Sequence, residues 1–452
     1  METSHTKSLI GRKLYIPQMS YEGARCMAAA FQSIGVDAQP SPAGDAQTYE
    51  LARKYLSGDE CLPQVITLGN FLKVTQEPDY DPAKTAFMMP TSNGPCRFGH
   101  YLPLIRKIFA QRGEDEVLLL SPSSSNAYED ISESAASLVR TGWRAVVAAD
   151  ILRKMLLKTR PYERAPGTTD RVFAEALDRV CAAIATPNIS HRQRLKKIIQ
   201  ALIQSRDAFR NIPLDTSKKK LLIGVVGEIF CRLNDFSNDH LIRLIEQKGG
   251  EVWMSDVAEW VWYTHDEERM QLIRQGQRFS LRMLGCKLRY AVMRADEHKL
   301  TAPFEQDFAG YEEPHHITQI LELSRPYLPR EGAHGEMVIS VGKAIWYYKK
   351  GAAGVIDISP FSCMNGIVCE AIYPTISSDL GGFPMRVFYF DGIQANLESD
   401  LEIFMELADN YHRCRKHHPP KNRQLLIDGL NKNQQQTPKL SFSRQRKSRS
   451  PV

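Results

Sequence analysis

Two hydrophobic periods alternate along this chain. Residues 13–17, KLYIP, form a short apolar run, and YEGARCMAAAFQSIG then repeats apolar residues at helical spacing until Gly35 closes the pattern. VDAQPSP reads as a second strand, and ELARKYLSG and QVITLGNFLKV as helices, the latter opened by Pro63 in its first turn. TAFMMP is a buried strand, CRFGHYLPLIRKIFAQRG a helix and DEVLLLSP the next strand. From about residue 131 to 212 the pattern changes to long helices, among them ILRKMLLKT, RVFAEALDRVCAAIA and RQRLKKIIQALIQSRDAF. After DTSKKK the alternation returns with LLIGVVG, the helix SNDHLIRLIEQKGG and EVWMS. A helical insert containing EWVWYTHDEERMQLIRQGQ follows, and EMVISVGKAIWYYKKGAAGVIDISPFSCMNG, MRVFYFDG and ESDLEIFMELADNY complete it.

This order predicts an α/β protein with two doubly wound, mostly parallel sheets of flavodoxin or Rossmann type. The expected units are an N-terminal α/β domain over 10–130, a helical connector over 131–215, a C-terminal α/β domain with a helical insert over 216–410, and a basic tail over 411–452. In such open sheets a ligand is expected beyond the carboxyl ends of the strands, in the crevice between the domains.

Composition supports this picture, since 452 residues with 43% hydrophobic and 24% charged can bury more than one core. No apolar run approaches the ~18 residues that span a bilayer, and METSHTKSLIGRK lacks a signal-peptide core, so a cytoplasmic location and no membrane are expected. Nine cysteines without dense spacing suit free thiols rather than a disulfide framework. The net charge of +6 is uneven, because residues 411–452 hold eleven Lys or Arg against the single Asp428, leaving 47 basic against 51 acidic residues elsewhere. That tail should be disordered. It carries no aromatic interleaving, so no nucleic-acid partner is expected.

Three cysteines share one setting: Cys61 in GDECLP, Cys96 in NGPCRFG and Cys363 in SPFSCMNG. Each lies in a turn beside Pro and Gly, just before a helical pattern. A thiol at a helix N-terminus meets unpaired N–H groups, which is expected to lower its pKa and favour the metal-binding thiolate. Cys26, Cys181 and Cys286 fall inside helical patterns and read as small buried hydrophobes. Cys231 is a further candidate at a strand end. No CxxC pair exists, which disfavours a zinc ribbon, and spacing alone leaves both a shared metal site and three inert packed thiols open.

MMPTSNGPCRFGHY, IGVVGEIFCRLNDFSN, GGEVWMSDVAEW, SVGKAIWYYKKGAAGVIDISPFSCMNGIV and YFDG together resemble one family. They are similar to the stand-alone proteins related to 2-hydroxyacyl-CoA dehydratase subunits, labelled acyl-CoA dehydratase activase-related, over about residues 10–408. The resemblance implies a [4Fe-4S] cluster held by Cys61, Cys96 and Cys363, with one iron lacking a protein sulfur. It also implies an ATP-dependent activase, itself an iron–sulfur protein, as the source of low-potential electrons. A CoA thioester as substrate and assembly into a homo- or hetero-oligomer are expected with it. Turnover as a dehydratase or reductase, electron relay, a non-catalytic accessory role on the activase, and a metal-free interaction protein with a basic tail all remain open. Asn365-Gly366 stands where the family has Pro-Gly, and ESDLEIF lacks an expected Arg.

Arg97 is the expected cation tuning the cluster and Glu228 a second cofactor-binding residue. Arg232, Asn234 and Asn238 follow the same strand and read equally as ligands or as capping groups. Lys343 in VGKA offsets cluster charge or is a solvated helix lysine. His100 and the pairs at 315–316 and 417–418 read as surface histidines, and Trp253, Trp260 and Trp262 as packing. No GxxxxGK[ST] loop is present, and Gly224 and Gly227 read as close-packing positions.

Overall fold

A computed structural model of the chain describes residues 9–91, 96–121, 135–331, 335–392 and 396–417. The N-terminal unit runs β1 (Lys13–Ile16), α1 (Tyr21–Gln32), β2 (Ala38–Pro40), α2 (Ala46–Arg53), α3 (Leu62–Val74), β3 (Thr85–Met88), α4 (Tyr101–Gln111) and β4 (Leu118–Leu120). Three long helices follow, α5 (Ala135–Thr159), α6 (Thr168–Ala185) and α7 (His191–Arg210). The second sheet begins with β5 (Leu221–Gly227), α8 (Ile229–Leu233), α9 (Leu241–Gln247) and β6 (Gly250–Met254). The insert is α10 (Val257–Arg274), α11 (Leu281–Thr301) and α12 (Ile317–Ser324). The chain then closes with α13 (Glu336–Lys350), β7 (Gly354–Pro360), α14 (Met364–Asp379), β8 (Met385–Phe390) and α15 (Leu397–His417).

Both four-stranded sheets are parallel, in the orders β2-β1-β3-β4 and β6-β5-β7-β8. The predicted doubly wound α/β class is therefore the observed one. β7 and β6 are buried along their whole length, as strands covered on both faces must be. Gly224 in β5 is required by packing, because a Cβ there would lie 2.3 Å from the Tyr347 ring. Gly227 ends the strand at φ +112°, where a Cβ would meet the Ile358 backbone at 2.2 Å.

The long helices form one core with α1 and the insert. Arg144, fully buried, donates to Asp296 on α11 at 2.8 Å, and Arg153 donates to Glu22 on α1. The tryptophans expected to pack do so: Trp253 and Trp262 are buried, and Trp262 meets Trp143 edge to face at 4.9 Å. The two sheets' units touch through Tyr49 and Phe236, ring centroids 5.0 Å apart, and through the Asn234 amide donating to Gln18 O at 2.8 Å. The expected tail needs one correction. Residues 411–417 continue α15, so its helical pattern reaches beyond Tyr411, and 418–452 lie outside the described residues.

Candidate metal centre

Each sheet reverses its winding between two neighbouring strands, β1 and β3 in the first and β5 and β7 in the second. Connections leave such a point in opposite directions and open a crevice at the carboxyl ends. Cys96 follows β3, Glu228 follows β5 directly and Cys363 follows β7, while Cys61 precedes α3. All four cap a helical segment in nearly the same extended backbone: φ/ψ is −66/137° at Cys61, −69/134° at Cys96, −61/128° at Glu228 and −70/127° at Cys363. An extended cap residue lays its side chain beside the free N–H groups of the first turn. Accordingly Cys96 Sγ accepts from Phe98 N at 3.5 Å, and Glu228 accepts from Phe230 N and Cys231 N at 3.1 and 2.8 Å.

Arg97 joins these loops. Its guanidinium donates to Asp59 O at 2.7 Å, two residues before Cys61, and to Ser362 Oγ at 3.0 Å, the residue before Cys363. Ser362 sits at φ +62°, a left-handed conformation uncommon for a non-glycine residue and held by its surroundings. A single side chain adjacent to Cys96 thus ties the loops of Cys61 and Cys363 to its own. The Tyr101 hydroxyl hydrogen-bonds Cys61, Cys363 lies close enough to bear electrostatically on Cys61, and the Glu228 carboxylate bears on both. The Gly94-Pro95 pair of the GPC motif lies outside the described residues.

The thiols depart from expectation in their acidity. Burial, reinforced by the Glu228 carboxylate, pushes Cys61 and Cys363 each up to about 12 and raises Cys96 as well. Desolvation and a nearby anion therefore outweigh the helix N-termini, and the thiols stay protonated unless a cation takes the proton's place. Glu228 is also raised by burial. Glu336 is raised further, by burial first and then by Glu228, and it accepts the remaining first-turn N–H of α8 from Ile229 at 3.0 Å.

Several buried polar atoms close in the chain to the thiols have no partner: Gln64 Nε2 in the first turn of α3, both amide atoms of Asn365 in the first turn of α14, and Ser359 Oγ at the end of β7. Native interiors pair such groups, so orphans beside a set of soft donors fit a bound group that supplies the missing contacts.

The three thiols are not gathered tightly enough for one bare ion. Among the described residues, the group whose ligand atoms all lie within 4.8 Å of one another is His265, Glu268 and Cys286. His265 Nε2 faces Cys286 O at 3.1 Å and Cys286 Sγ at 3.6 Å across the α10–α11 hairpin. Its Glu268 is taken by Arg289 at 2.6 Å, so a metal there would compete with a guanidinium. Sequence reading missed this group, because it depends on how two helices face each other. The i,i+3 pair His265 and Glu268 was its one local signal.

Other candidates resolve as structural. Lys343 is not solvated; it is fully buried and paired with Glu259 at 2.6 Å and with Glu313. Asn234 caps Ser237 N and Asn238 caps Leu241 N, while Arg232, buried rather than in a surface pair, donates to Gly227 O at 2.9 Å. Cys26 and Cys181 are buried with sulfurs 3.9 Å apart, and Cys231 and Cys286 are buried too. His100, His315 and His316 are exposed, and the side chains of 417 and 418 lie outside the described residues.

No protein-family model matches this chain, and no curated protein matches it. Among the described residues, no helix is long and apolar enough to cross a membrane.

Proposed function

We propose that this chain is an iron–sulfur protein of the 2-hydroxyacyl-CoA dehydratase type, holding a [4Fe-4S] cluster on Cys61, Cys96 and Cys363. The observation that carries the reading is the Arg97 side chain, which links the three cysteine loops across both sheets. A cubane spreads its thiolates farther than a single ion does, in keeping with thiols that share a locus without closing on one point.

Such a cluster supplies one-electron chemistry and an iron without a protein sulfur. The chain's own residues set the conditions around it. Arg97 places a fixed cation beside Cys96, which offsets thiolate charge and favours the reduced form. Glu228 and Glu336, both raised by burial, bring two carboxyl groups to the site. Gln64 and Asn365 offer unpaired amide groups for a polar ligand. The sequence holds no P-loop, so nucleotide hydrolysis belongs to a partner activase that delivers low-potential electrons. The substrate class on this reading is a CoA thioester.

Anaerobic reconstitution tests the proposal: a brown protein with about four irons per chain is expected, with iron lost in Cys61→Ala, Cys96→Ala and Cys363→Ala. A colourless, iron-free product would overturn it. Turnover of a 2-hydroxyacyl-CoA with activase, ATP and reductant separates catalysis from electron relay.

A further inference from the structure

The α10–α11 hairpin ends in an apolar surface that none of the described residues covers. Phe279, Leu281, Leu284 and Leu288 are 95, 86, 63 and 64% exposed, four of the largest bare hydrophobic side chains among the described residues. The opposite side of the hairpin has its own small core of Leu272, Met283 and Cys286. Hence α11 faces inward with 283 and 286 and outward with 281, 284 and 288, the i, i+3, i+7 spacing of a helix-packing seam. Gly285 lies within that seam, and a Cβ there would meet nothing within 4 Å. The bare backbone forms a notch between leucines.

Charge on this tip has one sign. Arg274, Arg278, Arg282 and Lys287 are exposed and form no ion pair among the described residues. The acids nearby are already engaged: Asp266 by Arg269 and Arg330, Glu267 by Arg330, and Glu268 by Arg289. A patch of unpaired cations flanking bare leucines, on a chain body that is acidic overall, leaves both its charge and its apolar area unmatched.

We propose that this face of α11 docks an amphipathic helix of another protein, with leucine-like knobs seated around Gly285 and Glu or Asp residues flanking them. A second copy of this chain is disfavoured, since it would set these cations against each other. An anionic bilayer would satisfy the charges but has no use for the notch or the helical seam. From Leu281 to Leu288 the seam covers about 10 Å, two turns of a partner helix.

The test uses the full chain and two fluorescent heptad peptides, with Leu at the a and d positions and either Glu or Lys at the others. The acidic peptide should bind, at least about tenfold more weakly when salt rises from about 50 to about 500 mM. Leu284→Glu with Leu288→Glu should reduce binding by about tenfold or more. Arg278→Glu with Arg282→Glu should transfer the preference to the basic peptide. All four side chains are exposed, so circular dichroism of these variants should match that of the wild type. Binding of neither peptide, or equal binding of both, would overturn the proposal. So would reversible self-association lost in the leucine variant, or adsorption to phosphatidylserine vesicles without peptide binding.

Discussion

Asp357, in the centre of β7, carries a test of how burial sets stability. It is fully buried; Oδ2 accepts from the Tyr373 hydroxyl at 2.6 Å and Oδ1 has no partner. Burial pushes its pKa from the ordinary 3.8 up to about 6, against hydrogen bonding from Tyr373 and Cys369 and the charge of Arg232. Because the folded chain keeps a proton that the unfolded chain releases, this contribution is fully present below about pH 4 and is lost as pH rises through about 6. At about 1.4 kcal/mol per tenfold, the loss amounts to about 3 kcal/mol. Asp357→Asn keeps an oxygen for Tyr373 and cannot ionise. Its unpartnered amide N–H costs about 1–3 kcal/mol, and that cost does not vary with pH. The stability of the variant relative to wild type should therefore rise by about 3 kcal/mol between pH 4 and 8, read from urea unfolding followed by circular dichroism at each pH. A relative stability flat to within about 0.5 kcal/mol over that range would refute the reasoning.

Lys343→Met should lose about 3–5 kcal/mol in urea unfolding, because it strands Glu259, while Glu313 keeps Lys154 at 2.6 Å; adding Glu259→Leu should restore part of the loss. Gly227→Ala should cost about 3 kcal/mol, since it combines a positive φ with backbone contact at Ile358; a neutral result would mean that the strand end can shift. Arg97→Ala should change global stability by only about 1 kcal/mol, its guanidinium being partly exposed, yet speed alkylation of Cys61 and Cys363 several-fold. Labelling rates equal to wild type would remove the role of Arg97 in tying the loops together.

Local pattern was enough for the architecture. The runs KLYIP, TAFMMP, LLIGVVG and MRVFYFDG are strands because short apolar stretches bounded by turn residues suit pleated backbone, and the intervening 3.6-residue periodicity makes helices. The cap positions of Cys61, Cys96 and Cys363 were legible for the same reason, since turn chemistry beside Pro and Gly is set within a few residues. Their acidity was not. The helix N-terminus could be read from the sequence, but the burial and the Glu228 carboxylate that outweigh it come from segments far away in the chain. Lys343 shows the same limit: VGKA looks like a surface turn of helix until α10 and the segment before α12 bring Glu259 and Glu313 against it.

What the residue order alone determined is the kind of element at each place, because periodicity and backbone sterics act over a few residues. Which side chains share a neighbourhood was decided only by tertiary structure. Arg97 reaches Ser362 across 265 positions because both sheets present their carboxyl ends to one crevice, and no local pattern encodes that meeting. The bare face of α11 is likewise visible only once the described helices around it have been placed and none of them is found to cover it.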